Sequence, residues 1–187
     1  MESARSFASA PELDAWLRAN HTTARELWVL LFKKGSGTPS VSWDDCVIAG
    51  LTWGWIDGTK RSLDNDSYLQ RMTPRRPRSG WSKRNCEHAE RLIAEGLMQP
   101  PGLAQVEAAR ADGRWEQAYA GSADMVIPDD FLAALALDTA AATTYASLDR
   151  ASVFHIYYRL HTAKRPETRA KRLAALVAAL ARGEALR

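Results

Sequence analysis

Six cations, Arg71, Arg75, Arg76, Arg78, Lys83 and Arg84, fall within fourteen residues that hold no acid. A guanidinium presents a planar fork of N–H donors that matches the oxygens of phosphate or carboxylate two at a time, so arginines at this density suit an anionic ligand. Ser82 adds a second anion-binding element. It stands where a helix should begin, and a helix N-terminus offers free backbone N–H groups and the positive end of the dipole. The competing expectation is that these cations neutralise the acid-rich segment that follows, or extend into water. Trp53, Trp55, Tyr68 and Trp81 flank the block and could form a stacking platform beside the charge, an arrangement that suits a nucleotide or single-stranded nucleic acid. Tryptophan is also a common core residue, and packing is the plainer role for Trp53 and Trp55.

Asp57 is the acid placed between the aromatic segment and the arginine block. A carboxylate near Arg71 or Arg75 could serve as a general base or orient a guanidinium, and a structural ion pair is the alternative. His21, His88, His155 and His161 form no HExxH or comparable motif, so neither a metal site nor a cofactor is indicated. Cys46 and Cys86 stand forty residues apart without a CxxC or Cys/His cluster, which predicts two free thiols in a reducing cytoplasm. Ser79 and Ser82 lack the setting of a nucleophile elbow, and no phosphate-cradling glycine motif is present.

The elements that would position these groups follow from periodicity. Residues 11–20 read as a short helix with Leu13, Trp16 and Leu17 on one stripe. The apolar run 26–32 is short for a helix, ends at Lys33-Lys34-Gly35, and predicts a central strand covered on both faces. Ser42 with Asp45 three residues on predicts a capped helix through about Trp53. Alternating runs at 56–63 and 67–73 about Asp64-Asn65-Asp66 predict a hairpin, with Tyr68, Gln70 and Met72 on one face and Leu69, Arg71 and Thr73 on the other. Pro74 and Pro77 predict a loop from Thr73 to Ser82, which can be neither a helix interior nor a central strand. Ser82 caps a helix to about Glu95, and Pro100-Pro101 lead into another that starts at about Gly102 and ends before Asp112-Gly113. Beyond residue 121 the pattern is helical, with stripes Phe131/Leu132/Leu135, Val153/Ile156/Tyr157/Leu160 and Leu173/Leu176/Val177/Leu180.

At 187 residues, 46% hydrophobic and 25% charged with seven tryptophans, the chain suits a globular protein of one domain, or one domain with a small appendage. No stretch approaches the roughly 18 apolar residues of a membrane span, and the beginning of the chain, with Glu2, Arg5, Glu12 and Asp14, has no secretory h-region. Charge is unevenly spread. Residues 71–84 carry six basic and no acidic side chains, residues 85–158 four and eleven, and residues 159–187 eight and two. The second basic block includes Lys164, Arg165, Arg169 and Arg172. It would enlarge one electropositive face if it packed near the first, and would otherwise rim a helix.

Trp53-Gly54-Trp55-Ile56-Asp57-Gly58, the stretch from Arg71 through Lys83 to Ile93, Gly96-Leu97-Met98 through Trp115, and Ala163-Lys164-Arg165-Pro166-Glu167-Thr168-Arg169 together resemble the YdeI/OmpD-associated (bacteriocin-protection) family over most of residues 25–183. The resemblance implies an α+β core with a helical C-terminal part and an association with bacteriocin or antimicrobial-peptide tolerance. It implies no established reaction. The expected fold is α+β: a small sheet with a hairpin packed by helices over residues 1–114, then a helical C-terminal portion over 128–187, with 115–127 as a linker. The leading expectation is a cytoplasmic binding module in which Arg71, Arg75, Arg76, Arg78, Ser82 and Lys83, with Trp55, Asp57 and Trp81, hold an anionic small molecule, a nucleotide or a nucleic-acid backbone. The alternatives are an enzyme using Asp57 with Arg71 and Arg75, and a protein-interaction or oligomerisation module on the basic tail.

Overall fold

The structure, a computed structural model, describes residues 4–184, so the outermost ends of the two expected regions, residues 1–3 with Glu2 and residues 185–187, lie outside the described residues. The chain divides into two compact units, Met1–Ala118 and Tyr119–Arg187. The fold is α+β, as the patterning predicts.

The first unit opens with a two-residue strand β1 (Arg5–Ser6), helix α1 (Ala10–Asn20) and strand β2 (Leu27–Phe32). Helix α2 (Trp43–Thr52) follows, then the hairpin β3 (Trp55–Ser62) and β4 (Ser67–Pro74), and helices α3 (Lys83–Ala94) and α4 (Pro100–Ala111). The sheet order is β1-β2-β4-β3, with β1 parallel to β2 and the other pairs antiparallel. Nothing in the composition of Arg5-Ser6 announces β1. Its pairing with Val29 and Leu30 exists only because the chain returns beside β2.

The apolar run of β2 predicts cover on both faces, and the structure corrects this. Leu27, Val29 and Leu31 are buried, whereas Trp28, Leu30 and Phe32 are half-buried. Strand side chains alternate, so one face of the sheet meets the helices. On that face, Leu13 and Leu17 of α1, Cys46 and Ala49 of α2, Trp55 and Met72 form one core cluster.

The opposite side of α2 is buried as well. Val47 and Leu51 pack with Trp81, Cys86, Ala89 and Leu92 around α3 and with Val106 and Ala109 of α4. A helix apolar on both sides has to lie between layers, and α2 separates the sheet from α3 and α4. Its start is fixed by a capping box, in which Ser42 Oγ accepts from the Asp45 backbone N–H while the Asp45 carboxylate accepts from the Ser42 backbone N–H. The two thiols lie in these layers without a disulfide. Burial, reinforced by Asp45 and Asp57, pushes Cys46 up to about 12, and burial with Glu90 nearby pushes Cys86 up to about 11.

The second unit consists of α5 (Asp129–Ala136), α6 (Thr139–Ala146), α7 (Arg150–His161) and α8 (Pro166–Ala181). Phe131, Leu135, Ile156, Leu160, Leu176 and Leu180 form its core. Leu132, read into the α5 stripe from sequence, is 43% exposed. Of residues 115–127, Trp115 and Ala118 pack in the first unit, whereas Ile127 packs in the second.

Candidate functional site

The arginine block begins on β4, whose last residues correct the expected loop. Thr73 and Pro74 still pair with Ile56 and Trp55 of β3, beyond the last pairing of β4 with β2, so the missing N–H of Pro74 costs no bond to β2. The register of β4, Tyr68 opposite Leu31, Gln70 opposite Val29 and Met72 opposite Leu27, turns those three residues to the helix-covered face and Leu69, Arg71 and Thr73 to the other. Arg71 Nε donates to Glu26 Oε2 at 2.6 Å, so this guanidinium already has an internal carboxylate.

Arg75 turns inward. It is 7% exposed, its backbone N–H donates to the Gly54 carbonyl at 2.9 Å, and its Nη1 donates to the Gly80 carbonyl at 3.1 Å. The guanidinium carbon lies 3.8 Å from the centroid of Trp81. Trp81 is 2% exposed and stands 5.0 Å from Trp115, which in turn carries Arg110 at 4.8 Å. These contacts are internal to the fold, and a cation–π stack of this kind gains strength when desolvated.

The loop has a second tether from outside the block. Arg114, also buried, donates through Nη1 to the Ser79 carbonyl at 2.8 Å and through Nε to Asp112. Between the two tethers, the Arg76 N–H donates to Ser79 Oγ at 3.0 Å and the Ser79 N–H returns to the Arg76 carbonyl at 2.9 Å, closing a tight turn. Arg76 and Arg78 stand exposed on that turn.

Ser82 is buried and spends its Oγ on the Asn85 N–H at 3.1 Å, as the N-cap of α3. Lys83 at the first helical position is exposed. Arg84 bonds Asp44 at 2.7 Å and lies 5.0 Å from the ring of Trp43, with His88 accepting from its Nε at 3.3 Å. Among the described residues, Arg76, Arg78 and Lys83 take part in no ion pair.

The aromatic platform read from the sequence is not formed. Trp53 and Trp55 are 7% and 1% exposed, inside the core between sheet and helices, and Trp81 is enclosed by Arg75 and Trp115. Burying an indole removes more apolar surface from water than any other side-chain choice at these positions, and that gain decides their orientation. Tyr68, half-buried, is covered by Lys60 at 4.1 Å.

Asp57 and Arg71 are not brought together. Asp57 pairs with Met72 across the hairpin and so shares its face, opposite to that of Arg71. Its Oδ2 accepts from the Trp43 indole N–H at 3.0 Å. Strand parity thus separates Asp57 from Arg71, and Arg75, beyond the end of β4, is held by Gly80 and Trp81. The sequence reading missed Glu26, Asp44 and Arg114 as partners of the loop region. Each is distant in sequence from the group it holds, and only Arg114, next to the Asp112-Gly113 turn, carries a local sign of constraint.

In the second unit, α8 starts at Pro166 with Arg165 as N-cap and no side-chain cap. Arg169 pairs with Asp130 of α5, and Arg172 Nη1 donates to the Arg159 carbonyl at 2.7 Å, while Lys164 and Arg165 are exposed. No helix of the described residues is long and apolar enough to cross a membrane.

Residues 5–105 match the family model described as a domain of unknown function, DUF8412, and residues 124–183 match that described as bacteriocin-protection, YdeI or OmpD-associated. The family read from the sequence is thus found in the C-terminal stretch that includes Ala163–Arg169, while Trp53–Gly58 and Arg71–Ile93 fall within the first match. No curated protein and no solved structure matches the chain. With just over half of its length spanned by the first of these models, the chain belongs to the DUF8412 domain family and carries, C-terminal to that domain, a segment of the YdeI/OmpD-associated family.

Proposed function

We propose that the chain is a binding module in which Arg76, Arg78 and Lys83 engage an extended polyanion, a nucleic-acid backbone. The observation that carries this reading is the division of labour within the basic block. Arg71, Arg75 and Arg84 are engaged by Glu26, by Gly80 with Trp81, and by Asp44, whereas Arg76, Arg78 and Lys83 are exposed without an ion pair among the described residues. Three cations on a tethered turn and the adjoining helix start suit phosphates spaced along a chain better than one enclosed anion. Lys83 also sits at the positive end of α3. A free nucleotide or small anion is the lesser form of the same reading, since Trp53, Trp55 and Trp81 are buried and the exposed ring of Trp43 is already approached by Arg84.

The binding surface belongs to the α+β region, residues 1–114, with 128–187 as a separate helical subdomain joined through 115–127. The cytoplasmic setting rests on two thiols kept free, and the link to bacteriocin tolerance rests on the description of the family matched by residues 124–183.

Fluorescence anisotropy with a labelled single-stranded oligonucleotide, repeated across salt concentrations, tests the reading. If all three cations contact phosphates, the logarithm of the binding constant should fall against the logarithm of salt with a slope of about −2, at roughly 0.7 per contact. The triple variant Arg76→Ala/Arg78→Ala/Lys83→Ala should lose that dependence, and Arg71→Ala should keep it. Binding unchanged in the triple variant, or absent in the wild type at low salt, would remove the loop from the functional site.

A further inference from the structure

A cleft of about 390 Å³ opens in the first unit between α1, α2 and the end of α3 with the connection to α4. That volume lies within the roughly 300–1,000 Å³ of small-ligand sites. Its apolar surface comes from Pro11, Ile48, Ala49, Leu92 and Leu97. These residues arrive from three helices and a connection, and Leu97 is 54% exposed although the side chain is large and apolar.

The charged groups lining the same cleft are Asp14, Arg18 and Asp45, which leaves it one negative charge in excess. Asp14 is already committed. Its Oδ1 accepts from the Trp53 indole at 2.7 Å and its Oδ2 from Arg18 at 3.3 Å. Asp45 differs. Its Oδ2 takes both the backbone N–H and the hydroxyl of Ser42 at 2.7 Å, while its Oδ1 carries no hydrogen bond and the carboxylate has no cationic partner among the described residues. An ionised carboxylate beside an apolar wall is most favourably completed by a cation whose uncharged part covers that wall.

We infer that this cleft is a binding site for an amphiphilic organic ammonium ion, its charged head on Asp45 and its apolar body against Ile48, Leu92 and Leu97. The site is separate from the arginine loop and of opposite charge. An anionic amphiphile is disfavoured there because Arg18, the one cation of the cleft, is already paired with Asp14.

Titration of the full chain with 2-phenylethylammonium, followed by tryptophan fluorescence and by calorimetry, tests this, with 3-phenylpropionate as the carboxylate counterpart. Saturable binding of the ammonium probe is expected, with weaker or no binding of the carboxylate. Asp45→Asn keeps an acceptor for Ser42 and should weaken the ammonium probe about tenfold or more, the loss of a charge-assisted hydrogen bond. Leu97→Arg, at an exposed position that tolerates a polar side chain, should abolish it while leaving the thermal transition in place. No saturable binding up to about 10 mM, corresponding to less than roughly 3 kcal/mol, equal affinity for the carboxylate, or unchanged affinity in Asp45→Asn would each overturn the inference.

Discussion

Two arginines one residue apart, Arg75 and Arg76, have opposite fates, and the difference lies in what each meets. Arg75 follows Pro74 at the end of β4, where its backbone is tied to Gly54 and its side chain is directed onto Trp81. Removing it takes away a hydrogen bond to Gly80, a cation–π contact and the volume that fills the space beside the indole. Arg75→Ala should therefore destabilise the first unit by about 2–4 kcal/mol, read as a lower urea midpoint. Arg75→Lys should recover little, because a point-like ammonium can neither lie flat on the ring nor reach two directions at once. Arg76→Ala should leave the midpoint within about 0.5 kcal/mol, as expected of an exposed side chain without a buried contact.

Elements in the first unit are joined by very close backbone contacts at two glycines. Gly54, with φ of 74°, lies at the corner between α2 and β3, and a β-carbon there would meet the Pro101 carbonyl at 2.8 Å. A β-carbon on Gly102 would stand 2.3 Å from the Leu51 carbonyl and 2.5 Å from that of Thr52, so the first turn of α4 can seat against the end of α2 only without a side chain. Gly102→Ala should consequently cost at least about 1–3 kcal/mol and loosen α4, despite the higher helix propensity of alanine. Hydrogen exchange along α4 would register it. In the second unit, Arg169 of α8 grips Asp130 of α5, and that hydrogen bond and charge hold the Asp130 carboxyl below its usual value of 3.8. The folded state binds this proton less readily than the unfolded chain, so the contribution is present above about pH 4 and is lost as pH falls through the depressed folded value. Melting curves of wild type and Asp130→Asn should differ at pH 7 and draw together as the pH is lowered below about 4. The difference should be small, because half of the Asp130 side chain is exposed to water.

For the molecule as a whole, the seven tryptophans all lie within the first unit, from Trp16 to Trp115, so indole fluorescence reports that unit while far-ultraviolet circular dichroism reports both. Leu180 is fully buried in the cluster of the second unit. Leu180→Ala should remove roughly 2–5 kcal/mol there, read as a lower midpoint of the dichroism transition. The hydrophobic stripes of α1, α2, α7 and α8, the caps Ser42 and Ser82, and the hairpin with the facing residues of β4 were legible in the chain, because each depends on residues within a turn or two of one another. Local chemistry also made the density of cations between residues 71 and 84 visible. Which of them remain available to a ligand could not be read there, since Glu26, Asp44 and Arg114 come from elements up to 45 residues away. The same holds for the parity that sets Asp57 and Arg71 on opposite faces and for the layering that encloses Trp81. Pairing and burial are settled by long-range packing, in which hiding an indole or matching a charge outweighs where a side chain stands along the sequence.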